Sequence, residues 1–129
     1  MCLLDGVTTW DATSIVCVTA THRDTMNPLY RQGHLAGLHA FEYGAQAAAI
    51  HGGLLARVTG RQAQPAYLAA LRDAYLYVAY LDDIQAQLEV TARWLTGEAN
   101  CIYQIGVSAN ATPLAQARVI IITRPERML

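Results

Sequence analysis

The chain predicts an α+β domain in which an antiparallel β-sheet wraps around one long central helix. Three observations point there. One alanine-rich, largely apolar helix segment occurs, near the middle. Long segments of period two follow it. The connections between those segments are short and turn-like, which favours antiparallel pairing.

Taken in order, Cys2 to Thr9 is apolar and β-branched and reads as a first strand, with Trp10 to Thr13 as its turn. Ile15 to Thr21 is rich in β-branched residues and reads as a second strand. Asn27-Pro28 breaks the pattern, because proline lacks an N–H and pushes its predecessor out of the helical region. A loop runs on through Gly33 and Gly37. Leu38 to about Val58 is the helix, built on Ala40, Ala45, Ala47, Ala48 and Ala49. Its apolar residues occur almost all round, which predicts a buried helix. Gly52-Gly53 are expected to fray or bend it, and Gly60 to stop it. Tyr67 to Tyr80 is a long strand candidate. Leu88, Val90, Ala92 and Trp94 alternate with Glu89, Thr91 and Arg93. Thr96 to Asn100 is a hairpin turn, Cys101 to Val107 returns, Asn110 to Pro113 turns again, and Leu114 to Thr123 is the last strand.

The length of 129 residues suits one domain, residues 1–129, with no linker or internal repeat. Hydrophobic residues make up 53% of the chain and charged residues 15%, enough to fill a core and to leave surface for a subunit interface or ligand tunnel. The net charge of −1, with Lys and Arg scattered, speaks against nucleic acid as a partner. The apolar stretch Ala40 to Val58 is interrupted by Glu42, His51 and Arg57, which speaks against membrane insertion. Cys2, Cys17 and Cys101 do not form a disulfide framework, and Met1 leads into no signal peptide, so a reducing cytoplasm is expected.

The helix carries the one suggestive polar cluster. His39 and Gln46 lie within roughly 60° of Glu42 around the helix axis, forming one polar stripe. An uncompensated buried carboxylate is costly and favours its protonated form. Such an acid beside an amide can serve as a general acid. Alternatively the stripe faces solvent, or Glu42 pairs with an arginine such as Arg31 or Arg72. His22 and His34 read as surface or turn residues and His51 as a hydrogen-bonded core histidine. Tyr75 and Tyr77 read as core side chains. With neither Cys-x-x-Cys nor His-Glu-x-x-His, no metal site is expected, and no Gly-x-Ser-x-Gly or P-loop occurs.

Gly33-His34-Leu35-Ala36-Gly37 followed by Phe41-Glu42-Tyr43-Gly44-Ala45-Gln46-Ala47 resembles the 3-hydroxyacyl-[acyl-carrier-protein] dehydratases of the hotdog superfamily. It is most similar to those of aryl-polyene and related fatty-acid-like pathways, which share the His51-Gly52-Gly53 and Arg72-Asp73 steps. The match runs from Met1 to about Ile122. The resemblance implies a hotdog fold and a tunnel at a dimer interface, with no cofactor and no metal. It implies removal of water from a 3-hydroxyacyl thioester on acyl-carrier protein, leaving a trans-2-enoyl thioester. A His would take the C2 proton, Glu42 would act as acid at the hydroxyl, and N–H groups near Gly37 and Leu38 would polarise the carbonyl, as a helix N-terminus can. His39 and Gln46 would line the substrate site. The resemblance also implies a catalytic His in a Pro-His-x-x-x-Met-like segment, and Met1-Cys2-Leu3-Leu4-Asp5 matches only the end of that segment. A chain impaired by lack of that base is expected. His39 is the available substitute, although neighbours on one helix rarely straddle a substrate carbon. The rival readings are a hotdog acyl thioesterase and a catalytically inactive hotdog subunit that binds acyl chains, as part of a homodimer or a hetero-oligomer.

Overall fold

A computed structural model describes residues 2–62 and 65–123. Among the described residues six strands form one antiparallel sheet: β1 (Gly6–Trp10), β2 (Ser14–Thr19), β3 (Ala66–Leu76), β4 (Leu88–Gly97), β5 (Asn100–Ala109) and β6 (Thr112–Thr123). Their order across the sheet is β1-β2-β4-β5-β6-β3. The long helix α1 (Ala40–Val58) lies on one face of this sheet. This is the single long helix on an antiparallel sheet that the period-two segments predict.

The alternation in sequence becomes the two faces of the sheet. Ile15 and Cys17 of β2, Val90 and Ala92 of β4, Ile105 and Val107 of β5, and Ala115 and Ala117 of β6 are all buried. They stand in two rows across the strands, Cys17–Val90–Val107–Ala115 and Ile15–Ala92–Ile105–Ala117. The helix answers with Ala40, Phe41, Tyr43, Gly44, Ala47, Ala48 and His51. Gly44 sets how closely the two layers approach, since a Cβ there would run into the side chain of Ile105.

The helix ends where predicted. Thr59 N–H donates to the Leu55 carbonyl, and Gly60 takes φ +74°, a left-handed conformation that glycine adopts without strain. Gly52 and Gly53 do not fray it. The helix runs through both, although each costs about 1 kcal/mol relative to alanine. Packing of neighbouring Ala48 and His51 against the sheet outweighs that propensity.

Several strand boundaries move, three of them for reasons that hydrogen bonds make plain. The first strand begins at Gly6 rather than Cys2, because the amides of Leu3 and Leu4 bond to the Gln46 side chain and not to a neighbouring strand. The second ends at Thr19, where Thr19 and Thr21 turn their hydroxyls onto the Leu3 carbonyl and a 3-10 turn follows. The third ends at Leu76, because Ala79 gives its carbonyl to Gly37 on the loop before the helix.

Two expectations about burial are corrected. The helix is covered on one face only in the single chain, since the sheet lies on one side of it. Leu38 at its start is 62% exposed, and Val58 at its end is exposed as well. Tyr75 and Tyr77 are exposed rather than core. They lie on and just beyond β3, which is an edge strand, and edge position removes the neighbour that would bury them. Among the described residues no helix is long and apolar enough to cross a membrane.

Candidate functional site

The start of α1 is held in place by a second segment of chain. Residues 35–37 zip against residues 79–82. Gly37 N–H donates to Ala79 O at 2.7 Å, Leu81 N–H donates to Leu35 O at 2.8 Å, and Leu35 N–H donates to the Asp82 carboxylate at 2.8 Å. Gly37 must be glycine, because a Cβ would run into the Val78 carbonyl oxygen. This accounts for one expected role. The Gly37 N–H is spent on Ala79 and does not point at a ligand. Leu38 N–H has no backbone partner among the described residues and is the better-placed donor at this helix end.

Glu42 lies in the first turn of the helix. It is not enclosed in the single chain, for its side chain is 49% exposed. Its partner is His39, whose Nδ1 lies 3.2 Å from a Glu42 carboxylate oxygen, three residues back on the same face. Arg31 donates instead to the carbonyls of Pro28 and Tyr30, and among the described residues neither Arg31 nor Arg72 pairs with Glu42. The predicted stripe therefore exists, but its members do different things. Gln46 accepts hydrogen bonds from Leu3 N–H at 2.6 Å and Leu4 N–H at 3.2 Å through its side-chain oxygen. Those bonds make it a clamp on the segment entering β1. Met1 lies outside the described residues.

His34 is the residue that sequence reasoning passed over. Its Nδ1 lies 3.2 Å from the Asp82 carboxylate, and its ring lies against Tyr80 with centroids 4.5 Å apart. A carboxylate only accepts, so Nδ1 carries the proton and Nε2 of neutral His34 is left as the basic nitrogen. Burial pushes the Asp82 carboxyl up, but hydrogen bonds from Leu35 N–H and from His34 outweigh that and hold it below the usual range. The pair is thus an ionised acid orienting a half-exposed histidine. The one signal in the sequence was the position of His34 inside the Gly33–Gly37 loop.

The remaining histidines are structural. His51 is fully buried; its Nε2–H donates to Asp11 O at 2.8 Å and its Nδ1 accepts from the Tyr103 hydroxyl at 2.7 Å. His22 is a correction, for it is fully buried rather than at the surface, with Nε2–H donating to Ile84 O at 2.9 Å. Burial pushes its pKa down, so it packs as a neutral ring. Burial also pushes the Cys17 thiol up to about 11, with the Cys2 thiol adding to the effect, and raises Cys101. Neither buried cysteine is poised as a nucleophile.

Among solved structures, the dehydratase heterocomplex ApeI:P from Xenorhabdus doucetiae has a chain similar to this one, with a TM-score of 0.86 and 22% identity over 96% of this chain and 84% of that one. A mutant thioesterase from Pseudomonas aeruginosa matches with a TM-score of 0.62 and 16% identity over 89% of this chain and 77% of that one. A hypothetical thioesterase protein with coenzyme A from Streptococcus pneumoniae gives 0.65 and 12% over 95% and 87%. At these identities the likeness establishes the hotdog fold. No match is found among curated proteins. The family profile for the ApeP-like dehydratases matches residues 1–128, and the chain belongs to that family.

Proposed function

We propose that this chain dehydrates a 3-hydroxyacyl thioester on acyl-carrier protein to the trans-2-enoyl thioester, in an aryl-polyene or related fatty-acid-like pathway. The observation that carries this reading is the presentation of Glu42 on the open face of α1, one turn beyond the Leu38 amide. In the proposed step a histidine takes the C2 proton, and the electron pair forms the C2–C3 double bond. The C3–O bond breaks as Glu42 delivers a proton to the departing hydroxyl, and water leaves. Leu38 N–H polarises the thioester carbonyl as charge builds there. His34 is the base that the geometry favours, because Asp82 fixes its tautomer and leaves Nε2 available. His39 is held on Glu42 itself and serves to orient the acid.

The thioesterase reading keeps one specific support, the fold likeness to thioesterases including one with coenzyme A. One assay separates the two. Incubation with 3-hydroxybutyryl and crotonyl thioesters should change enoyl absorbance without releasing free thiol. Thiol release at the faster rate would overturn the dehydratase reading.

A second hotdog chain is proposed to add to the free edge of β3, either another copy of this chain or a related subunit. The support is the run of exposed Tyr67, Leu68, Leu71 and Tyr75 along that edge. Unpaired edges with exposed apolar side chains are costly to leave in water. Light scattering on the purified protein should give twice the single-chain mass, and Leu71→Lys with Tyr75→Lys should halve it. A wild-type particle of single-chain mass that also fails to bind a second hotdog subunit would exclude the pairing.

A further inference from the structure

His22 is fully buried, and the dehydration step makes no direct use of it. The turn that carries it, Thr21–Arg23, is tied down on several sides. The His22 carbonyl accepts from the Tyr30 hydroxyl at 2.7 Å, and the Thr21 carbonyl accepts from the buried Asn27 amide at 3.0 Å. The Thr21 hydroxyl lies 2.8 Å from the Tyr43 hydroxyl on α1. This anchored turn packs against a second one, Leu81–Asp83, which carries Asp82.

The second turn is held on both sides of Asp82. Before it, Leu81 is buried and its N–H donates to Leu35 O. After it, the Ile84 carbonyl accepts from His22 Nε2–H at 2.9 Å. The other side-chain bond across this contact is weaker, since the exposed Arg23 guanidinium reaches Gln85 O at 3.4 Å. His22 is therefore the buried link between a turn fixed to the core and the turn that orients His34 through Asp82.

That link works with a neutral ring. The Ile84 carbonyl only accepts, so Nε2 carries the proton and Nδ1 is bare. Nδ1 is buried and, among the described residues, makes no hydrogen bond. A second proton would put a charge and an unpaired N–H inside the contact. Burial is the largest influence and holds the ring below the ordinary histidine range, and Arg23 acts with it. The Ile84 and Ala86 backbone and the Asp82 carboxylate act against burial and are outweighed. Asp24 and Asp83, at the ends of the two turns, are exposed. Opening the contact restores an ordinary histidine, so acid favours the open form below about pH 6.5.

We infer that His22 is a positioning residue for the His34–Asp82 pair: as a neutral ring it braces the Leu81–Asp83 turn, and taking up a proton releases that turn. The inference rests on the reading above that His34 is the base.

The test uses His22→Leu, His22→Gln and Asp82→Ala in the full chain. Leucine leaves the Ile84 carbonyl without a donor, whereas the glutamine amide can reach it and cannot charge. Ring 15N NMR at pH 7.5 needs no substrate. His34 should carry its proton on Nδ1 in the wild type and in His22→Gln, and should shift towards the Nε2–H form in His22→Leu, as in Asp82→Ala. In the dehydration assay His22→Leu should lower kcat about 10-fold, with KM within about twofold. Added to Asp82→Ala it should cost almost nothing more, because it acts through Asp82. An unchanged His34 tautomer in His22→Leu, or losses that multiply in the double variant, would overturn the inference. If the wild type dehydrates no 3-hydroxyacyl thioester, the dehydratase reading fails and the NMR result alone judges His22. If His22→Leu does not fold, hydrogen exchange in the other two chains decides. Protection of the Leu35 amide, which is bonded to Asp82, should fall by up to about 10-fold from pH 7.5 to 5.5 in the wild type and stay level in His22→Gln. All other titrating groups are common to both chains, so the same fall in each would sink the assignment.

Discussion

Glu42→Gln is expected to lower kcat for dehydration by about 10² to 10⁴-fold, the usual contribution of a positioned acid or base. The substitution keeps the size and planarity of the side chain and removes its proton chemistry. Glu42 is half exposed, and Gln keeps the reach to His39 that its carboxylate has. The melting temperature should therefore stay within about 2 °C of wild type, the range of an ordinary surface substitution. The enoyl-absorbance assay reads the first quantity and thermal unfolding the second. A variant that keeps wild-type turnover would remove Glu42 from the mechanism. His34→Asn in the same assay addresses the base. It should also cost about 10²-fold or more, with Asp82→Asn costing less because it only disturbs the orientation of His34. Full activity in His34→Asn alongside loss in Glu42→Gln would place the base elsewhere.

His51→Ala should cost about 3–5 kcal/mol of stability. Three losses combine: the Asp11 carbonyl and the Tyr103 hydroxyl each lose a buried partner, and the ring leaves a void between Trp10 and Tyr103. Burial pushes the Tyr103 hydroxyl well above its usual range, so it remains a donor that needs an acceptor. The bonds also tie the β1–β2 turn to the helix, and the Asp11 carboxylate organises that same turn through Thr13 and Ser14. Urea unfolding measures the effect. A loss below about 1 kcal/mol would mean that the network contributes no more than a single exposed hydrogen bond. His51→Gln, which can replace one of the two bonds, should recover part of the stability.

Several features could be read without coordinates because they are properties of neighbouring residues. The alternation through Leu88, Val90 and Ala92 decides which side chains share a face, and those three are buried together. The Leu38 to Val58 segment carries enough helix formers to overcome its glycines. Glu42 stood out because a carboxylate in an apolar helix needs a reason.

The rest depends on partners that lie far along the chain. Gln46 meets Leu3 across 43 residues, and His34 meets Asp82 across 48. No spacing rule reaches that far. The same holds for His22, whose burial follows from the 3-10 turn at Thr21–Arg23 packing against the one at Leu81–Asp83. The exposure of Tyr75 and Tyr77 follows from strand order, which places β3 at the edge although nothing in its own residues marks it so. By itself the sequence determined which segments are helix and strand, which faces are apolar, and where one unexplained acid lies. Only the tertiary structure decided what each polar side chain touches, because hydrogen-bond partners are chosen by packing and not by proximity along the chain.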